Sequence, residues 1–218
     1  MMSLKLYGYW RSSASYRLRI AMHLKQLDFE YLPVHLVKDG GEQKKNAYSN
    51  MNPSMLVPTF VDDDEDIVLN QSLAIIEYLD DKYPDTPMLL PTHAVDKARV
   101  RAIAQDIACD IQPVTNLRIL QALNSDFEAS SEQTKAWCAK WIELGFIALE
   151  KRLATRSGKY CFGYDVTLAD VCLVPQVYNA VRFQVDMQRF PLIQKIYDNC
   201  NELDAFQKAK PEAQTDAA

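Results

Sequence analysis

The sequence predicts a two-domain protein of the α/β plus all-α class, in which a small domain of alternating strands and helices precedes an all-helical domain. Three observations predict it: the first third of the 218 residues alternates short apolar runs with helical periodicity, a proline-rich segment follows, and nearly every later periodicity is helical. A chain of this length suffices for one large domain or two small ones, each burying its own core.

The first third has the order strand, helix, strand, loop, strand, strand, helix. Strands are predicted in LKLYGY, in FEYLPVHL, in VPTFV and in IVL, and the last two flank the acidic turn DDDED. A helix is predicted over 13–26, where Ile20, Leu24 and Leu27 form an apolar stripe, and another over 71–83, which Pro84 ends. This order, with its right-handed crossover between parallel strands, is that of a thioredoxin-like domain, which we predict over 1–83.

The rest of the chain is predicted to be a linker and a helical domain. The segment PDTPMLLPTH, residues 84–93, holds three prolines and is typical of a linker. The helical domain is expected over 94–218, and its tail, PEAQTDAA, is expected to be disordered. Its predicted helices comprise two long ones, at 94–123 and 131–156, and two shorter ones, at 168–181 and 192–201.

Composition and charge exclude several classes of function. The net charge is −5, and neither half is basic, which argues against nucleic acid as a partner. No window approaches the ~20 apolar residues of a membrane span, and the N-terminus does not resemble a signal peptide, so a cytoplasmic protein is expected. The five cysteines form no C-x-x-C pair and the three histidines have no ligand spacing, so we predict reduced thiols and no metal site.

The stretch RSSASYRLRIAM, beginning at Arg11, places serines at the start of the first helix. One interpretation is helix capping, in which a serine accepts a backbone N–H and contributes about 1 kcal/mol. The other is activation of a thiol, because a helix N-terminus favours an anion and a hydroxyl donor lowers the pKa of a thiolate further. Both interpretations of Ser12 and Ser13 stay open on the pattern alone.

Two further sites in the first domain have structural and functional interpretations. Val57-Pro58 marks either a strand edge or a cis-proline that turns the backbone of Val57 towards a peptide ligand. Gln71-Ser72 opens the second helix, where Ser72 serves either as a cap or as part of a second anion site. Two such helix N-termini suit a ligand that carries a thiol at one end and a carboxylate at the other.

The helical half offers less chemistry. Thr167-Leu-Ala-Asp170 matches a capping box and is interpreted as structural. Asp106 and Asp110, four residues apart, are interpreted as part of a solvated polar face rather than as catalytic carboxylates. Because no nucleophile–base pair is evident, an enzyme with this sequence would have to borrow its nucleophile.

Several motifs resemble the zeta class of glutathione transferases over nearly the whole chain. YWRSSASYRLRIAM is similar to the class signature S-S-C-x-W-R-V-R-I-A. Further agreement lies in N-P-x-x-x-V-P-T from Asn52, in QSLAIIEYL from Gln71, in D-I-Q-P-x-x-N-L from Asp110 and in VTLADVCLVPQV from Val166. The resemblance alone implies that the protein is a homodimer.

The resemblance implies glutathione-dependent cis–trans isomerisation of maleylacetoacetate to fumarylacetoacetate. The substrate, maleylacetoacetate, is a dicarboxylic acid from tyrosine breakdown. Addition of the glutathione thiolate to the cis double bond permits rotation, and elimination releases the trans isomer. Ser12, with Ser13 beside it, would stabilise the thiolate, while Arg11 and Arg182 would hold substrate carboxylates. The residues that would hold glutathione itself are Gln43, Val57, Pro58, Gln71 and Ser72, with Gln112 and Asn116 from the helical domain.

The sequence departs from the class signature where Ala14 replaces the usual cysteine, and Tyr16 replaces a tryptophan. Since glutathione supplies the reacting sulfur, we expect isomerisation to survive, whereas side activity on small haloacids is in doubt. The alternative functions are isomerisation of maleylpyruvate, general transferase activity and, outside the enzymes, binding of another protein through the same fold. Retention of Ser12, Ser13, Gln71 and Ser72 argues against that last alternative.

Overall fold

The computed structural model describes residues 3–217, so the first two residues of the expected domain 1–83 and the last of 94–218 lie outside it. The strands are β1 (Leu4–Gly8), β2 (Glu30–Pro33), β3 (Thr59–Asp62) and β4 (Ile67–Asn70). The helices are α1 (Ser13–Leu24), α2 (Asn46–Ser49), α3 (Ser72–Lys82), α4 (Ala94–Gln105), α5 (Gln112–Val114), α6 (Leu117–Phe127), α7 (Ser131–Leu153), α8 (Leu168–Arg182), α9 (Pro191–Asn201) and α10 (Asp204–Ala209).

The chain divides into two compact units. The first contains the residues through Leu89 together with those from Leu203 onward, and the second is Leu90–Glu202. The expected helical domain, 94–218, therefore differs from the second unit, because its final residues belong to the first.

The sheet of the first unit has the strand order β2-β1-β3-β4. β1 and β2 are parallel, whereas β3 is antiparallel to both β1 and β4. The alternation of Leu4 and Leu6, both buried, with the half-buried Lys5 and Tyr7 places one face of β1 in the core. The mixed sheet with its β-α-β start and terminal hairpin confirms the predicted thioredoxin-like topology.

Helix α1 is buried almost all round, which its apolar stripe does not predict. α3 and α10 both pack against it, so Arg17 and Arg19 are buried along with Ile20. Arg19 donates from Nε to the carbonyl of Ala209 at 3.0 Å, because a buried guanidinium needs hydrogen-bond acceptors. These contacts are the physical reason that the C-terminal residues belong to the first unit.

The expected disorder of the tail PEAQTDAA is wrong for the described part, 211–217. Pro211–Ala213 forms a 3₁₀ turn, and Pro211 is buried. The carboxylate of Asp216 accepts hydrogen bonds from the backbone of Trp10 and from the hydroxyl of Tyr31. Long-range contacts of this kind leave no periodicity in the sequence, so composition alone favoured disorder.

The second unit is helical, as predicted, but the first of its expected long helices is interrupted. Instead of one helix over 94–123, α4 continues into a π-helical turn (Asp106–Ile111), α5 ends at Val114, and α6 starts anew. Pro113 has no N–H to donate, and Asn116 caps α6 by accepting from the backbone N–H of Arg118 at 3.2 Å. The capping asparagine was the signal for this break.

The capping box at α8 is confirmed. Asp170 is fully buried and accepts from the backbone N–H groups of Thr167 at 2.8 Å and Cys161 at 2.7 Å. Asp106, in the π turn, pairs with Arg152 at 3.0 Å, and Asp110 is exposed. These positions agree with a polar face rather than a catalytic carboxylate pair.

Within residues 3–217, no helix is both long enough and apolar enough to traverse a bilayer.

Candidate active site

Four loops of the first unit open at one edge of its sheet. Gly8 pairs with Pro33, so the C-terminal ends of β1 and β2 lie side by side. Thr59 pairs with Tyr7 and with Asn70, which puts the start of β3 and the end of β4 at the same edge. These loops, after β1, after β2, before β3 and after β4, carry the predicted first-domain residues Arg11, Ser12, Ser13, Gln43, Val57, Pro58, Gln71 and Ser72.

Ser12 is the N-cap of α1. Its Oγ accepts from the backbone N–H of Ser15 at 3.2 Å, so the capping interpretation is confirmed. A hydroxyl that accepts through a lone pair still carries its own proton, and Ser12 is only half buried. The geometry therefore permits capping and donation to an anion at the same time, whereas Ser13, the first residue of the helix, is buried.

The loop before Ser12 is fixed by its own hydrogen bonds. The N–H of Ser12 donates to the carbonyl of Tyr9 at 2.9 Å, and the N–H of Tyr9 donates to Ser15 Oγ at 3.3 Å. Two of the three serines at this junction, Ser12 and Ser15, therefore fix the backbone of the turn through hydrogen bonds.

Ser72 begins α3 and its hydroxyl is buried against α1. Arg17, which is 2% exposed, donates from Nη1 to Ser72 Oγ at 2.8 Å. Gln71, just before, is exposed and has φ 70° and ψ 102°, a left-handed conformation that is uncommon outside glycine. The N-terminus of α3 thus combines the backbone N–H groups of a first helical turn with the nearby positive charge of Arg17. This combination suits a carboxylate.

Gln43 and Val57 lie in the loops between these helix ends. Gln43 is buried and donates from Nε2 to the carbonyl of Leu36 at 3.2 Å, while its Oε1 has no hydrogen-bond partner in the described chain. The Val57–Pro58 peptide bond is cis. Val57 packs in an apolar cluster with Tyr9 and Trp10.

Arg11 extends over its neighbour. Its guanidinium lies 4.5 Å from the centroid of the Trp10 ring, and Nη2 donates to Tyr9 Oη at 3.3 Å. Both contacts are with residues of the loop after β1, so this loop holds the side chain of Arg11 as well as Ser12 at the same sheet edge. The side chain is half buried and remains available to an anion.

The predicted residues of the second unit have separate positions within it. Gln112 begins α5 and is half buried. Asn116 is the cap of α6, a structural role that was not predicted. Arg182 ends α8, is exposed, and lies over the ring of Phe183 at 5.1 Å.

Arg17 is a residue of the candidate site that the pattern did not single out. It lies in the predicted helix between Tyr16 and Leu18, where an apolar stripe was the dominant feature. The signal available in the sequence was an arginine next to apolar residues of a predicted helix, since a guanidinium in such surroundings requires a specific partner.

Two buried thiols of the second unit, those of Cys138 and Cys161, are not activated. Burial raises the pKa of the Cys138 thiol to about 11 and that of Cys161 well above its ordinary value. A thiol reacts as its thiolate, so these residues are poor nucleophiles at neutral pH.

Taken together, the thioredoxin-like sheet and the two helix N-termini at its edge form a candidate site whose geometry suits an anionic, peptide-like ligand. The family model of the glutathione S-transferase N-terminal domain matches residues 11–82. A probable maleylacetoacetate isomerase of Vibrio cholerae is 51% identical over 217 residues, covering 100% of both chains. A maleylpyruvate isomerase of a Ralstonia species is 50% identical, covering 99% of this chain and 100% of its own.

Solved structures agree with these relatives. The holo structure of a maleylpyruvate isomerase, described as a bacterial zeta-class glutathione S-transferase, has a TM-score of 0.93 at 50% identity and covers 98% of this chain and 100% of its own. The maleylacetoacetate isomerase of Anaeromyxobacter dehalogenans, solved with glutathione in its active site, has a TM-score of 0.88 at 37% identity and covers 99% and 98%. The chain belongs to the glutathione S-transferase family and, within it, to the zeta class that contains these isomerases.

Proposed function

We propose that this protein is a glutathione-dependent cis–trans isomerase that converts maleylacetoacetate to fumarylacetoacetate. The observation that carries the proposal is that α1 and α3, capped by Ser12 and opened by Ser72, begin at one edge of the sheet. Full-length similarity to maleylacetoacetate and maleylpyruvate isomerases supports the substrate class.

The residues at this edge fit glutathione. Glutathione is a tripeptide with a thiol, two carboxylates and a peptide main chain, and its thiol, its γ-glutamyl carboxylate and its main chain have chemically matched groups here. The buried Oε1 of Gln43, which has no partner within 3–217, is an acceptor suited to a ligand N–H. Gln71, Ser72 and the N-terminus of α3 suit the γ-glutamyl carboxylate, and the backbone of Val57 suits the cysteinyl main chain.

When bound, glutathione supplies a nucleophilic thiol that adds reversibly to an activated double bond. Ser12 donates its hydroxyl proton towards the sulfur, and the N-terminus of α1 adds its positive end, so both favour the thiolate. Arg17 holds the Ser72 hydroxyl in place from the core. Neither the cysteines nor the histidines of this chain are needed as a nucleophile or a base.

Arginines suit the dicarboxylic substrate, because a guanidinium fork binds both oxygens of a carboxylate and stabilises developing negative charge. Arg11 is proposed as one such residue, since its side chain is already oriented by Trp10 and Tyr9. Arg182 is proposed as a second carboxylate ligand, and Gln112 and Asn116 as further glutathione ligands, on the motif resemblance alone.

Maleylpyruvate is the second candidate substrate, and it is favoured by the 50% identity to the Ralstonia enzyme. The two acids differ beyond the reacting double bond, and a few pocket contacts shift discrimination by about 1–3 kcal/mol. We further propose a role in tyrosine breakdown and a homodimer, which follow from the class resemblance, and a cytoplasmic location, which is the default for a chain of this composition.

The test is to follow the absorbance of maleylacetoacetate and of maleylpyruvate with and without glutathione and to compare kcat/KM. The proposal expects turnover only with glutathione and a higher kcat/KM for maleylacetoacetate. A higher value for maleylpyruvate would transfer the assignment to that acid. Glutathione binding without turnover of either acid would favour a general transferase, and no binding at all would favour an interaction protein.

A further inference from the structure

The C-terminal tail reaches the loop that carries Arg11 and Ser12. The backbone N–H of Trp10 donates to Asp216 Oδ2 at 3.0 Å, across 206 residues of sequence. The same oxygen accepts from the hydroxyl of Tyr31 at 3.4 Å. Asp216 therefore joins the loop after β1 to β2 from outside the sheet.

The carbonyl of Trp10, like its N–H, takes part in a hydrogen bond. Arg19, which is fully buried, donates from Nη2 to the carbonyl of Trp10 at 2.9 Å and from Nε to that of Ala209 at 3.0 Å. Arg19, on α1, therefore joins the loop after β1 to the end of α10. The N–H of Trp10 is held by the tail itself, and its carbonyl is held by a guanidinium that also bonds α10.

Trp10 in turn sets the residues next to it. Its ring, which is 7% exposed, lies under the guanidinium of Arg11, and Ser12 follows two residues later as the cap of α1. A shift of the Trp10 backbone would move both the ring under the Arg11 guanidinium and the hydroxyl of Ser12. Displacements of about 1 Å at reacting groups can lower a rate about 10²-fold.

We propose that Asp216 is a positioning residue for the isomerisation, which acts by holding the Trp10 backbone and, through it, Arg11 and Ser12. This inference rests on the proposed function. Asp216 itself touches neither glutathione nor the acid in this account. Its contribution is the hydrogen bond from Trp10, so an asparagine that keeps an oxygen acceptor there can replace it in part.

The test compares Asp216→Ala and Asp216→Asn with the wild type in kcat, in KM for glutathione and in the ultraviolet absorbance of the bound thiolate. We expect Asp216→Ala to lower kcat about tenfold or more and to weaken the thiolate signal. KM for glutathione should change by less than about threefold, because Gln43 and Ser72 are hydrogen-bonded to Leu36 and Arg17 rather than to Trp10 or the tail. Asp216→Asn should recover part of the lost kcat, because it keeps an oxygen acceptor for the N–H of Trp10.

Two control variants separate positioning from general stability. Thr215→Ala changes an exposed neighbour in the tail, and Thr86→Ala removes a partner of Lys25 elsewhere in the same unit. Both should keep wild-type kcat well below their melting temperatures. The inference is overturned if Asp216→Ala keeps wild-type kcat and thiolate signal, or if Thr86→Ala lowers kcat as much at an equal loss of Tm.

The wild-type measurement distinguishes failure of the inference from failure of the proposed function. Wild type that turns over neither acid and binds no glutathione overturns the proposed function and this inference with it. If the wild-type protein binds glutathione without turnover, the thiolate signal still tests the inference. The signal of Asp216→Ala must then fall below that of the wild type. An undiminished signal would overturn it.

Discussion

Replacement of Lys25 by methionine should destabilise the first unit strongly, because it breaks a buried ion pair. Lys25 Nζ lies 2.8 Å from Asp80 Oδ1, and the exposed fractions of the two side chains are 0% and 3%. Nζ also donates to Thr86 Oγ1 at 2.9 Å and to the carbonyl of Pro87 at 3.1 Å. The pair therefore ties α1 to α3 and to the segment that follows α3.

The magnitude follows from what remains after the substitution. Lys25→Met leaves the carboxylate of Asp80 buried without its cation, and loss of one partner of a buried pair costs about 3–5 kcal/mol. For a chain of this size, each kcal/mol lowers Tm by roughly 2–4 °C, so the shift should be about 6–20 °C. Lys25→Met/Asp80→Leu should recover part of the loss, because well-packed apolar residues often replace a buried pair with little cost.

The assay is thermal and urea denaturation of the wild type, both single variants and the double variant. The matched control is Lys5→Met, because Lys5 pairs with Asp63 at 2.6 Å on the surface, with exposed fractions of 27% and 46%. That change should cost far less than Lys25→Met, because surface ion pairs are well solvated and contribute little to stability. The reasoning is refuted if Lys25→Met costs no more than Lys5→Met, or if the two core substitutions are additive.

Two further predictions concern stability. Burial, and then the positive charges of Lys208 and Arg19, lower the pKa of His23, so the folded state binds its proton less readily than the unfolded chain. The contribution of His23 to stability is therefore complete above about pH 6.5 and is lost as the pH falls below that value. His23→Gln should make the free energy of unfolding, measured with urea, depend less on pH over that range. An unchanged dependence on pH would exclude His23 as its source. Asp170→Ala leaves the buried N–H groups of Thr167 and Cys161 without their acceptor and should cost about 2–6 kcal/mol by denaturation, whereas a cost below about 1 kcal/mol would mean that another acceptor replaces it.

The elements of the fold were predictable where periodicity and turn residues agree. The thioredoxin-like order follows from short apolar runs and two helical periodicities, and the capping box at Thr167 follows from a local pattern. The break after α5 was missed, because a π turn has no simple periodicity and the helical pattern of α4 continues across Pro113 into α6. The tail was missed because Asp216 acts through a contact 206 residues away.

The candidate site was predictable to the extent that its residues start helices. Ser12 and Ser72 are caps or first-turn residues, and such positions leave a local signature in the sequence. Arg17 was not predicted, because its partner is set by the packing of α1 on α3 and not by spacing along the chain.

The proposed role of Ser12 and the N-terminus of α1 is to stabilise the thiolate of bound glutathione. The measurement that tests this role is the pH titration of that thiolate by its ultraviolet absorbance, in the wild type, in Ser12→Ala and in the control Thr86→Ala, which lies outside the candidate site. This role predicts a thiol pKa well below the ordinary ~8.5 in the wild type and in the control, and a return towards that value in Ser12→Ala with a loss of about 10²-fold in kcat. A Ser12→Ala protein that keeps the lowered thiol pKa and the wild-type rate would contradict it, and would leave Ser12 as a helix cap alone.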